Sequence, residues 1–285
     1  MRFTTPLRAV AGVVLAGGLL LTTSCKKNTE VTSTDDVLSA QDAGLGDEEN
    51  AATADLVEVA APQDATASAS ATVVDTPELA RLLPPCATRT YDAATRTLTL
   101  NFGTTNCLCP DGRYRRGVIT AVFSSPYRQA GAVVTINRTG CFVNDNQHLG
   151  TRIITSLGSG SFDLAVQSAS IIFANGRGTT SWSSQRRYTR TAGFSTPSIL
   201  DDTYSITGSL MGTNRRGVSY IADIQQPLVK KFAVGCAWHF VAGTIQLTNT
   251  NAKAMLLNYD PTGTQACDNV ASVTLNGRTY TIYLK

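Results

Sequence analysis

The sequence predicts an all-β domain, an antiparallel meander of about 12–14 strands over residues 86–285, forming a curled sheet, a barrel-like domain or a sandwich. Three observations predict it. Apolar and polar residues alternate with period two through most of this region: Leu98, Leu100 and Phe102 against Thr97, Thr99 and Asn101, then Phe162, Leu164 and Val166 against Asp163 and Gln167. Turn signals punctuate the runs at Asp111-Gly112, Asn144-Asp145-Asn146, Gly158-Ser159-Gly160, Asn175-Gly176, Thr213-Asn214 and Asn276-Gly277. The connections are short, which suits antiparallel neighbours, because parallel pairing needs long crossovers. Tyr204, Ile206 and Leu210 share a face, as do Ile245 with Leu247, and Tyr280 with Ile282 and Leu284.

Residues 1–25 read as a targeting segment. Arg2 and Arg8 give the positive flank, and Ala9 to Leu21 is an uncharged, mostly apolar run of 13 residues. That run is too short to cross a bilayer of roughly 30 Å and suits the apolar core of a signal peptide. The residues that follow, Leu21-Thr22-Thr23-Ser24-Cys25, resemble the lipobox of bacterial lipoproteins. Leu21 lies four residues before the cysteine where the usual pattern has three, a looser form similar to that of Bacteroidota outer-membrane lipoproteins. The resemblance implies lipidation of Cys25 and attachment to the membrane through that anchor.

Residues 26–85 contain no Phe, Tyr or Trp, and carry three basic residues (Lys26, Lys27, Arg81) against twelve acidic ones, a charge of −9. A chain of this kind is expected to remain a disordered linker, since it buries too little apolar surface to offset ordering. It would span roughly 45 Å as a flexible coil. Thr76 to Leu83 is expected to form a short helical turn, with Thr76 as cap, Pro77 at the first position and Pro84-Pro85 stopping it.

From Cys86 the balance reverses. Residues 86–285 hold 19 basic residues against nine acids, all Asp, so the domain is +10 where the whole chain is only +3. A basic domain on an acidic stalk points to anionic surfaces or polymers. Six cysteines follow Cys25, namely Cys86, Cys107, Cys109, Cys141, Cys236 and Cys267. In an exported domain an even number suggests disulfides. Cys86 with Cys107 and Cys236 with Cys267 flank hairpin-like units, which leaves Cys109 with Cys141. Zinc would want closer cysteine pairs or more histidine than His148 and His239. A weak internal echo relates Leu98–Gly103, Cys107 and the strand from Gly117 to Met255–Tyr259, Cys267 and the strand from Ala271.

Several stretches, Asn101–Cys107, Asp111–Gly117, Val143–Asn146, Asp201–Gly208, Gly212–Arg215 and Cys267–Asn269, resemble a group of uncharacterised Bacteroidota surface lipoproteins. The resemblance implies a β-rich fold and an outer-membrane, cell-envelope location, and implies no activity.

The strongest candidate binding face is the strand Trp182–Arg190. Alternation puts Trp182, Arg186, Tyr188 and Arg190 on one side, an aromatic and arginine ladder suited to sugar rings and to anionic groups. Tyr114-Arg115-Arg116 and Asn214-Arg215-Arg216 add positive charge at strand starts. Asp201-Asp202, with Asp163 or Asp145, offer oxygens to calcium, although six to eight ligands are needed. His239 reads as a packed core or rim residue. No G-x-S-x-G, H-E-x-x-H, G-x-G-x-x-G or P-loop occurs, and no cofactor or metal is expected. The expected function is a non-enzymatic surface binding or structural module with weak affinity for anionic glycans or lipids, and nucleic acid is not an expected partner. The alternative is a hydrolase of envelope or extracellular polysaccharide, which would require a cleft where Asp and His converge.

Overall fold

The computed structural model describes Met1 and residues 35–62, 83–196, 198–233, 235–250 and 254–284. The signal segment, Cys25 and most of the turn expected at Thr76–Leu83 lie outside them. The described elements are one helix, α1 (Asp35–Ala60), and fourteen strands. The strands are β1 (Thr88–Asp92), β2 (Thr97–Asn101), β3 (Cys107–Leu108), β4 (Tyr114–Phe123), β5 (Val133–Val143), β6 (Asn146–Gly158) and β7 (Ser161–Ile172). They continue as β8 (Thr179–Ala192), β9 (Thr203–Thr213), β10 (Ser219–Lys231), β11 (Phe240–Asn249), β12 (Ala254–Asn258), β13 (Val270–Leu275) and β14 (Arg278–Tyr283).

All the strands belong to one unclosed antiparallel sheet in chain order from β1 to β14, with β3 off the path and paired to β4. This is the meander that the alternation and turn signals predict. The hairpin residues take the positive φ that tight turns demand: Asn144 and Asp145 at 47° and 63°, Ser159 and Gly160 at 53° and 78°, Asn276 and Gly277 at 51° and 73°. Register slips bend the long strands. At Gly117 (φ 101°), between the Arg116 and Val118 pairings of β4 with β5, a Cβ would stand 2.2 Å from the Gly140 carbonyl oxygen. Only glycine allows that approach, and such bulges increase strand twist.

The apolar members of each alternating pair face inward. Leu98 and Leu100 of β2, Leu164 and Val166 of β7, Ile206 and Leu210 of β9, and Ile245 and Leu247 of β11 are all buried. The echoed units are the pairs β2–β4 and β12–β13, near opposite ends of the sheet.

The largest departure from expectation is α1. Residues 35–60 were expected to be part of a flexible stalk, and they form a 26-residue helix, about 39 Å long at 1.5 Å per residue, buried along most of its length. It packs with the sheet in one compact unit, Ser33–Lys285. The composition permits a helix, with six alanines and no proline or aromatic residue between 35 and 60. Asp35 and Asp36 stand in the first turn, where they complement the helix dipole. At the other end Arg89 Nε of β1 donates to the Ala60 carbonyl at 2.5 Å. What the composition lacks is an apolar stripe. The helix nevertheless buries Val37, Leu38, Val57 and Val59, and its place on the sheet is specified by polar partners distant in sequence.

Two of the expected disulfides form, Cys86–Cys107 (Cα–Cα 5.8 Å) and Cys236–Cys267 (4.6 Å). The expected third does not. Cys109 and Cys141 are free and buried. Cys109 Sγ is turned to the Cys107 carbonyl of β3 and Cys141 Sγ to the Val118 carbonyl of β4, at 3.5 and 3.0 Å, so each thiol is engaged by a backbone carbonyl and not by the other. Burial pushes both thiols up, which keeps them neutral.

Candidate functional site

The inner face of the sheet carries cations, and α1 carries the anions that meet them. The helix holds eight acids and no basic residue. Asp47 takes Arg186 of β8 through two hydrogen bonds, Nε to Oδ1 and Nη2 to Oδ2, both 2.9 Å. Asp42 pairs with Arg215 in the β9–β10 turn, and Glu58 with Arg128 and the Tyr127 hydroxyl in the β4–β5 connection. Glu49 pairs with Arg138 of β5 and stands 3.4 Å from His148 Nδ1 of β6. Glu48 is 3.1 Å from His239 Nδ1 and 3.8 Å from Arg113, and Asp55 lies 2.8 Å from Lys230 of β10. Asp35 reaches Arg216 at 3.0 Å near the surface, and Asp36 receives a hydrogen bond from Asn249. Partners thus come from β5, β6, β8, β10, β11 and four connections, so the sheet curls around the helix. Buried pairs of this kind stabilise little in total, because desolvation offsets their attraction, yet they specify which segment fits.

Shape completes the match. A Cβ on Gly46 would lie 3.3 Å from the Trp182 ring, and one on Gly44 would lie 2.8 Å from Leu284 Cδ2. Trp182 Nε1 donates to Asn50 Oδ1 at 3.2 Å, and Asn50 Nδ2 donates to Ser184.

The electrostatics follow from burial and pairing. Burial pushes the Asp55 carboxyl up to about 6 despite Lys230. Burial also acts on Glu49, but His148 and Arg138 outweigh it and hold Glu49 well below the usual carboxylate range. His148 is pulled down by burial and is neutral at pH 7.

Beside the N-terminal half of α1 lies a cavity of about 490 Å³. Its lining is mixed: Leu45, Ile171, Phe173, Tyr283 and Leu284 are apolar, Arg113, Arg177, Arg215 and His148 are basic or polar, and Glu49 is its one carboxylate. The Arg177 and Arg215 guanidinium carbons sit 5.4 and 4.1 Å from the Phe173 ring centroid. Arg177 also bonds the Ala174 carbonyl and Asn146, both at 3.1 Å, and faces no carboxylate among the described residues.

The face predicted from alternation exists, but it points inward. Trp182, Arg186 and Tyr188 are buried against α1 and its surroundings, with Tyr188 stacked on Phe162 at 4.6 Å between centroids. Arg190 is consumed by Asp202 and the Gly193 carbonyl. This ladder is therefore not an open surface; a segment of the same chain occupies it. Arg115 likewise turns inward to Asp111 in a two-point pair at 2.7 and 2.6 Å, so the expected basic patches at strand starts are partly internal.

The acids considered for calcium do not converge. Asp202 serves Arg190 and Tyr204, Asp201 serves Thr196, Asp163 serves Arg187 and Asp145 serves Arg116. Of the two places the sequence leaves for His239, packed core or rim, the structure has it partly exposed at the rim with Glu48 as its partner. Sequence patterns alone do not single out Glu49, His148, Arg113 and Arg177. The one signal for them is the opposite charge of the two segments. Among the described residues no helix is long and apolar enough to cross a membrane.

No protein-family model, curated protein or solved structure matches the chain.

Proposed function

We propose that this is a lipid-anchored protein of the bacterial outer membrane, held at Cys25, whose β-domain is a non-enzymatic binding module for an anionic, partly apolar envelope ligand. The carrying observation is the 490 Å³ cavity, whose lining combines apolar walls and a single carboxylate with Arg113, Arg177, Arg215 and His148. Arg215 is also paired with Asp42 and Arg113 lies near Glu48, which leaves Arg177 as the cation of the lining that no carboxylate among the described residues engages. Its volume falls within the range of ligand pockets, and a few placed polar groups on an apolar lining are what such pockets use. Guanidinium groups suit phosphate and carboxylate. The shared chemistry is a phosphate- or carboxylate-bearing sugar with an apolar neighbour, supplied by an acidic glycan or by a lipid headgroup. A polysaccharide hydrolase is less well supported. Glu49, the cavity's carboxylate, is bound by Arg138 and held ionised, so it has no proton to donate and no second acid beside it in the lining.

Retention of the full chain on anionic liposomes and on heparin, against Arg177→Glu, tests the pocket. Arg177 is chosen because its loss strands no buried carboxylate. Retention that falls in the variant supports the reading, and the matrix affected identifies the source. Equal retention of both proteins would overturn it. Fractionation of Cys25→Ala tests the anchor separately, with release from membranes or lack of processing expected.

A further inference from the structure

Of the cations that meet α1 among the described residues, Lys230 of β10 is the one amine, and an amine becomes a nucleophile when it gives up a proton. Its partner is Asp55, with Nζ 2.8 Å from Oδ2 and both residues buried. Close as the contact is, Asp55 Oδ2 receives no hydrogen bond, while Nζ donates to the Ala237 carbonyl. The amine is thus held in place beside a carboxyl group whose oxygen is not, so the carboxyl can turn its carbon towards Nζ. Asp55 and Lys230 line one small space together with Phe162, Tyr188, Tyr204 and Phe232. The space is about 10 Å³, room for about one water molecule.

Aromatic walls penalise both charges of the pair, which favours its neutral form, an amine beside a carboxylic acid. Burial pushes the Asp55 carboxyl up to about 6, and the nearby Glu58 and Asp111 carboxylates act in the same direction. Holding two reacting groups in contact turns a slow encounter reaction into an intramolecular one.

We propose that Lys230 Nζ and Asp55 Cγ join in an amide bond, a covalent cross-link between β10 and α1 formed by the folded chain itself. The ammonium passes one proton to the Asp55 carboxylate, and the neutral Nζ attacks Cγ. The Nζ–Cγ bond forms as a Cγ–O bond breaks, and a second proton from Nζ leaves with the departing hydroxyl as water. No oxidant or further reactant is consumed. One N–H remains on Nζ and keeps its bond to Ala237, so a buried ion pair becomes a hydrogen-bonded neutral group. The space beside the pair takes the water that leaves. The structure shows the unlinked pair, in which Asp55 is free to titrate, and linkage abolishes that titration. Neither residue lines the ligand cavity.

The test is a tryptic map, read by mass spectrometry, of the full chain incubated folded and then reduced and denatured. Without the bond, residues 28–81 and 217–230 are released as separate peptides, since cleavage follows Lys27, Arg81, Arg216 and Lys230. With it, Lys230 resists cleavage, and one branched peptide is expected, 28–81 joined to 217–231 and lighter than its two parts by one water. Its fragment ions should place the junction at Asp55 and Lys230. Lys230→Arg keeps the positive charge but has no amine, and should give only separate peptides. Should this variant not fold, the map of the unaltered chain still decides. Separate peptides alone from the unaltered chain after prolonged incubation would overturn the proposal, as would a branched peptide that persists in Lys230→Arg.

Discussion

Arg186 on β8 and Asp47 on α1 are 139 residues apart in sequence and form a two-point ion pair with both oxygen–nitrogen distances at 2.9 Å, each side chain no more than 3% exposed. The pair joins the acidic segment to the basic domain at its centre. Removing one partner leaves the other charged and buried. Asp47→Ala or Arg186→Ala should each cost about 3–5 kcal/mol, whereas Asp47→Leu with Arg186→Leu together should cost clearly less than the two single changes summed. Urea denaturation of the three variants measures this. Additive losses would mean that the two residues act independently.

Trp182 reports on the same interface. Its ring packs under Gly46, and its indole N–H is held by Asn50. Gly46→Leu cannot be accommodated without moving the ring or the helix. The tryptophan emission of this variant should shift to the red and become accessible to acrylamide, while the β-sheet signal in far-ultraviolet circular dichroism persists. An unchanged spectrum would mean that the helix tolerates the bulk in place.

Asp55 makes stability depend on pH in a direction unusual for a carboxylate. Its folded-state value is raised to about 6, so the native protein holds this proton more tightly than the unfolded chain does. The resulting contribution is complete below about 4, the unfolded value, and is lost as the pH rises through 6. Relative to Asp55→Asn, the unaltered protein should therefore lose roughly 3 kcal/mol of stability between pH 3.5 and 7, since each tenfold gain in proton affinity corresponds to about 1.4 kcal/mol. Glu49 and His148 titrate in both proteins and cancel in the comparison. A stability difference that is flat with pH would remove this account of Asp55.

Cys109 and Cys141 should be the thiols of the β-domain. Thiol titration of the folded domain with a bulky reagent should proceed slowly, because both groups are buried and burial disfavours the reactive thiolate. After denaturation without reductant, the domain should expose two thiols, with the other four cysteines held as Cys86–Cys107 and Cys236–Cys267. Recovery of none would indicate that Cys109 and Cys141 are joined after all.

The sequence by itself determined the sheet. Alternation of Leu98, Leu100 and Phe102, or of Ile245 and Leu247, and the turns at Asn144-Asp145 and Asn276-Gly277, are local signals, because side-chain direction and turn φ depend on near neighbours. It determined the composition of the ladder Trp182–Arg190 and its common face, but not which way that face looks. It also displayed the charge split, −9 over residues 26–85 and +10 over residues 86–285, without saying that the halves meet. Only the tertiary structure decided that. Residues 35–60 have no apolar period of their own, so nothing local marks them as buried. Their helix is held by Arg186, Arg138, Lys230 and Arg215, contributed from 89 to 175 residues further along the chain. Complementarity of this kind arises only when a sheet has curled far enough to bring separate strands around one axis, and it leaves no periodicity in either partner from which it could be read.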